Sequence, residues 1–92
     1  MCIPILTIDN EERDLTFVVS WTRVEDFLYE LEERPSDGFW LGIYYGNNTK
    51  IERHNLDPGE YEYRVRCVDD PQMVEWVGEW SDVCKTQIKH RV

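Results

Sequence analysis

No stretch of this chain approaches the roughly 20 apolar residues that a membrane-crossing helix needs. Basic residues are scarce: ten Lys and Arg stand against nineteen Asp and Glu, a formal charge of −9. Nucleic-acid binders release counterions with a basic patch, and anionic membranes attract basic segments, so neither partner is expected. Residues 1–14 lack the basic flank and apolar core of a secretory leader. The protein is therefore expected to stay where it is made, unless a leader lay upstream. Cys2, Cys67 and Cys84 form no C-x-x-C, and with His54 and His90 they offer no zinc-ligand spacing. Of the serines Ser20, Ser36 and Ser81, none lies in a G-x-S-x-G elbow, and neither a P-loop nor H-E-x-x-H occurs. No catalysis, cofactor or metal is expected.

What is present is a small, aromatic-rich globular chain. Twelve aromatics in 92 residues, with 41% hydrophobic and 32% charged residues, supply a core for one domain, residues 1–92. The acid surplus is uneven: residues 1–46 hold ten acids and three bases, residues 47–92 nine and seven. It is read as a solvated surface that keeps the domain soluble and monomeric in isolation.

Turn signals recur at Asp9–Glu12, Pro35–Gly38, Gly46–Asn48 and Asp57–Gly59. Between them lie short runs of period two, the spacing of a half-buried strand. Ile3–Ile8 is apolar, with Pro4 suited to an edge. Leu15, Phe17, Val19 and Trp21 alternate with Thr16, Val18 and Ser20. Phe27, Tyr29 and Leu31 alternate with Leu28, Glu30 and Glu32. Phe39–Tyr45 alternates less clearly, and Thr49–Leu56 is mostly polar. Tyr61, Tyr63, Val65 and Cys67 alternate with Glu62, Arg64 and Arg66, and Val83–Ile88 completes seven strands.

These residues resemble a fibronectin type III domain. Leu15–Trp21 resembles the family's second strand with its core tryptophan. Tyr29–Glu32 resembles the third, and Leu56–Arg66 the turn and strand that carry the family's tyrosine corner, with Tyr61 at the corner. The Leu56-x-x-Gly59-x-Tyr61-x-Tyr63-Arg64-Val65-Arg66 form is more similar to bacterial and phage examples than to animal ones. The resemblance implies an all-β immunoglobulin-like sandwich of two antiparallel sheets. Strands one, two and five would form one sheet and three, four, six and seven the other, around Trp21, Tyr29, Leu56, Tyr61, Tyr63 and Val65.

In that fold Cys67 ends the sixth strand and Cys84 begins the seventh. They could form a cross-strand disulfide; two buried thiols are favoured, because a bridge needs particular pair geometry. Trp80 is expected to stack on Arg64 or Arg66, similar to the tryptophan–arginine ladder of cytokine-receptor domains. Trp76–Ser81 departs from W-S-x-W-S in spacing and lacks the first serine, which counts against receptor membership but not against stacking.

The long connection from Val68 to Trp80 carries Met73, Val74, Trp76 and Val77, much apolar area for a loop. Met73, Glu75 and Trp76 are taken as the contact centre, at one pole with Thr22–Asp26 and Gly46–Lys50. Trp40, Tyr44 and Tyr45 form a secondary surface. Asn47-Asn48-Thr49 is a glycosylation sequon, read as a hairpin turn. The acids around Asp9–Asp14, Asp37, Asp57 and Glu60 are read as hydrated turns rather than a calcium site. The expected function is a non-catalytic protein-binding or adhesion module. Its rival is a spacer or assembly module of a bacterial surface, secreted-enzyme or phage virion protein. An extracellular, cell-surface or virion location suits both.

Overall fold

A computed structural model of the chain describes residues 3–10, 16–24, 28–54, 56–68 and 78–88. Among the described residues seven strands are present: β1 (Leu6–Asn10), β2 (Thr16–Trp21), β3 (Leu28–Pro35), β4 (Leu41–Gly46), β5 (Lys50–His54), β6 (Gly59–Val68) and β7 (Cys84–Ile88). They form two antiparallel sheets, ordered β1-β2-β5 and β4-β3-β6-β7. This is the expected sandwich, strand for strand. Among the described residues there is no helix.

Alternation explains the assembly. Phe17, Val19 and Trp21 point from β2 toward Tyr29 and Leu31 on β3 and Tyr61, Tyr63, Val65 and Cys67 on β6. All are buried, and intervening residues face outward. Two aromatic pairs bridge the sheets edge to face: Phe17 with Tyr63 and Trp21 with Tyr29, each with centroids 5.9 Å apart. Leu56 packs against the core from the turn before β6. There the Tyr61 hydroxyl donates to the Asp57 carbonyl at 2.7 Å, closing the tyrosine corner. Gly59, at φ 148°, takes a backbone conformation that side-chain-bearing residues avoid.

The weak alternation of β4 has a local cause. Leu31 faces Tyr44 but Glu32 faces Gly42, so Ile43 is a bulge without a partner in the register. At the N-terminus the first strand begins at Leu6 rather than Ile3, although Ile5 and Thr22 continue the pairing beyond it.

No disulfide joins Cys67 and Cys84. The register sets Cys84 opposite Tyr63, four residues along β6 from Cys67. At roughly 3.3 Å per residue that is about 13 Å, well beyond the reach of a bridge. The Cys84 thiol instead donates to the Leu6 carbonyl at 3.3 Å.

Candidate functional site

The outer face of the four-stranded sheet is organised by charge. Across the β3–β6 register Glu30 faces Arg66, Glu32 faces Arg64 and Arg34 faces Glu62. Each facing pair is an ion pair. Arg66 Nε donates to Glu30 at 2.7 Å, Arg64 Nε to Glu32 at 2.9 Å, and Arg34 Nε to Glu62 at 2.9 Å. Two indoles slide between the guanidinium planes. Trp80 lies 4.1 Å from Arg64 and 4.2 Å from Arg66, as expected. Trp40 lies 4.3 Å from Arg64 and 4.7 Å from Arg34. The stack runs Arg34–Trp40–Arg64–Trp80–Arg66. Trp80 is placed by its neighbours: the Gly78 N–H donates to the Cys67 carbonyl and the Ser81 N–H to that of Val65, both at 2.8 Å. The Val65 N–H returns a bond to Ser81 Oγ at 3.1 Å. Cation–π contacts at partly exposed sites contribute about 0.5–1 kcal/mol each, so the four together stabilise by about 2–4 kcal/mol.

The proposed secondary surface is therefore only partly a surface. Trp40 is half-buried inside the ladder. Tyr44 turns inward, its ring 6.0 Å from that of Trp21 and its hydroxyl accepting the Asn48 N–H at 2.9 Å. Gly46 permits this, because a Cβ there would meet the Tyr44 hydroxyl at 2.3 Å. Tyr45 alone of the three is exposed, at 56%.

Other apolar groups accompany Tyr45. Phe39, two residues before the same edge strand, is 90% exposed and Leu41, its first residue, 66%. The four edge strands of the sandwich are β1, β4, β5 and β7. β1 carries Asp9, β5 carries Lys50, Glu52, Arg53 and His54, and β7 carries Lys85. From Phe39 to Gly46 there is neither a charge nor a proline. An open apolar edge of this kind is the usual template for pairing with another chain.

Sequence reasoning missed a second constellation, in the interior. Glu33, 7% exposed, continues the inward row Tyr29, Leu31, and meets Arg53 from the opposite sheet. Arg53 donates through Nε and Nη2 to the two carboxylate oxygens, each at 2.9 Å, and the Tyr63 hydroxyl donates to Glu33 at 2.6 Å. Burial lowers the proton affinity of Arg53, but the Glu33 carboxylate more than offsets this and the net shift is upward. Burial first, then the bond to Glu33, push the Tyr63 phenol far above its ordinary value. The arrangement holds one proton on each of Arg53 and Tyr63 and links the sheets; it offers no nucleophile to solvent. The sequence signal was there in the alternation, since Glu33 and Arg53 fall on inward positions.

The pole expected to carry contacts is seen in part. Arg23 Nη2 donates to the Asn47 carbonyl at 3.0 Å, joining two of its loops. Met73, Glu75 and Trp76 lie outside the described residues, as does Cys2. Among the described residues no group of three His, Cys, Asp or Glu side chains is placed to hold a metal ion.

No family model matches the chain. Over 54 residues, 58% of its length, it is 43% identical to Tip attachment protein J of Escherichia phage SECphi27, and that match spans 4% of the phage protein. Among solved structures it is similar to the twitchin kinase region from C. elegans (TM-score 0.72, 19% identity, 94% of this chain and 16% of that one). A cytokine receptor complex is similar at TM-score 0.72 and 22% identity, covering 94% and 50%. A structure of FN3tt mut matches at TM-score 0.62 and 16% identity, covering 95% and 92%. These likenesses are of fold, and the fold is that of a fibronectin type III domain.

Proposed function

We propose that this fibronectin type III fold serves as a non-catalytic protein-binding or adhesion module. Two surfaces would carry the contacts: the β4 edge and the pole centred on Met73, Glu75 and Trp76. The observation that carries the reading is the β4 edge, where Leu41 and Tyr45 on the strand and Phe39 just before it are exposed in a stretch without charge or proline. Large exposed apolar groups on a small domain mark interaction sites more often than chance. The −9 charge would steer a basic protein partner, and no nucleic acid or membrane insertion is invoked.

A second reading is favoured by one finding, the 43% identity to a short part of Tip attachment protein J. A domain similar to 4% of that protein suits a spacer or assembly unit within a long virion chain. The name of that protein speaks of attachment, so a virion or extracellular location fits either role. The deciding experiment immobilises the domain and captures proteins from its source material. Two folded controls are used, Phe39→Ser/Leu41→Ser and Met73→Ala/Trp76→Ala. A protein held by wild type and lost with either control supports the binding module and says which surface acts. Identical recoveries from all three give the spacer reading the lead.

A further inference from the structure

The β4 edge differs from the other three in what it withholds and in how it is held. Edge strands present a row of unpaired N–H and C=O groups, and proteins ordinarily blunt them with charge or proline. β1, β5 and β7 carry charge, whereas β4 has neither charge nor proline and only the bulge at Ile43 to interrupt its edge. The strand is also held ready. Trp40, immediately before it, is clamped between Arg34 and Arg64, and the Tyr44 ring is packed on Trp21. An edge already fixed in extended form spends little ordering entropy when another strand joins it.

The surroundings specify the occupant. The bulge at Ile43 twists the strand, which a short flexible segment can follow. A second copy of β4, fixed in its own sheet with its own bulge, would have to match that twist and would bring another −9 alongside the first. Side chains of an added strand alternate between the faces. On one face they would meet Leu41, which pairs with inward-facing Glu33, and beyond it Phe39. On the other they would meet Tyr45, which pairs with outward-facing Glu30, with the exposed acid Asp37 in the turn ahead of the strand.

Resting on the binding-module reading above, we infer that β4 accepts a short extended segment of a partner protein, alternating apolar and basic residues, as a further strand of the four-stranded sheet. Main-chain hydrogen bonds supply the attachment, the apolar residues cover Phe39 and Leu41, and the basic ones answer the acidic charge.

The test uses fluorescence anisotropy with a labelled peptide of about ten residues, a strand's length, alternating valine and lysine. Three companions are measured: the glutamate counterpart, and the lysine peptide N-methylated on alternate residues in each of the two phases. The lysine peptide is expected to bind at least about tenfold tighter than the glutamate one. One methylated phase should lose at least about tenfold while the other binds like the parent, because only one row of N–H groups faces β4. Phe39→Ser/Leu41→Ser, with its melting temperature unchanged, should weaken the parent peptide to a similar degree. If both methylated peptides bind like the parent, strand addition is overturned while the edge stands as a contact surface. Failure of the lysine peptide to bind, or equal binding of the glutamate one, overturns the occupant, whatever the capture experiment shows. A concentration-dependent dimer by light scattering, abolished in Leu41→Lys, would put a second copy there instead.

Discussion

Glu33→Ala should be among the most damaging single substitutions in this protein. It leaves the Arg53 guanidinium between the sheets without its carboxylate and the Tyr63 hydroxyl without its acceptor. Removing one partner of a buried ion pair costs about 3–5 kcal/mol. The Arg53 side chain is 26% exposed and so keeps some hydration, which places the cost near the lower end, about 3 kcal/mol. In a domain of this size about 1 kcal/mol moves the melting temperature by roughly 4–8 °C, so the variant should melt about 12–24 °C below wild type. Urea denaturation followed by tryptophan fluorescence measures the free energy directly. The decisive comparison is the apolar triple variant Glu33→Leu/Arg53→Met/Tyr63→Phe. Well-packed apolar replacements of buried ionic groups are often neutral or better, so the triple should lie within about 1 kcal/mol of wild type. A loss below about 1 kcal/mol for Glu33→Ala would refute the reasoning, and so would a triple variant as unstable as the sum of its singles.

Four further outcomes follow from the same geometry. Trp40→Ala removes two cation–π contacts and should cost about 1–2 kcal/mol by thermal melting. Tyr61→Phe should lose about 1 kcal/mol with the bond to Asp57, also by melting. Gly59→Ala meets no atom within 4 Å, so the urea midpoint should report backbone strain alone, about 1–3 kcal/mol. Alkaline pH should destabilise the fold, because the folded state binds the Tyr63 proton more tightly than the unfolded chain does. That stability is intact below the unfolded value of about 10 and is lost as pH rises above it, at up to about 1.4 kcal/mol per pH unit. Burial raises Tyr61 and Cys84 as well, so Tyr63→Phe should make the alkaline decline in urea midpoint shallower without abolishing it.

The parts of the fold legible in sequence are those where one face is buried. Trp21, Tyr29, Leu31, Tyr63 and Val65 sit on strict alternations, and a one-residue slip would turn every one of them to solvent. The ladder was half legible: Arg64, Arg66 and Trp80 lie on one strand and its close sequel. Trp40 was not, because its position over Arg34 depends on the turn at Pro35–Gly38 and on the offset at Ile43, neither of which leaves a periodic trace. Tyr44 was misplaced outward for the same reason. Glu33 and Arg53 could be counted inward, but their mutual satisfaction depends on the register between two sheets, and no hydrogen-bonded ladder sets that. The choice of thiols over a bridge at Cys67 and Cys84 is settled by the stagger of β7 against β6, which places Cys84 beside Tyr63 and which no sequence pattern records.

The indole–guanidinium ladder also bears on the timing of folding. Its members come from β3, the approach to β4, β6 and the approach to β7, so no single segment can assemble the whole stack, although Arg34 and Trp40 are near in sequence. The complete stack needs loop closure across all four segments, so it is expected to close late, after the rate-limiting step. Interactions absent from the transition state leave folding rates alone and slow unfolding. Trp40→Ala and Trp80→Ala should therefore move the unfolding limb of a chevron plot and leave the refolding limb in place. The stack would then act mainly as a kinetic brake, lengthening the lifetime of the folded domain between openings.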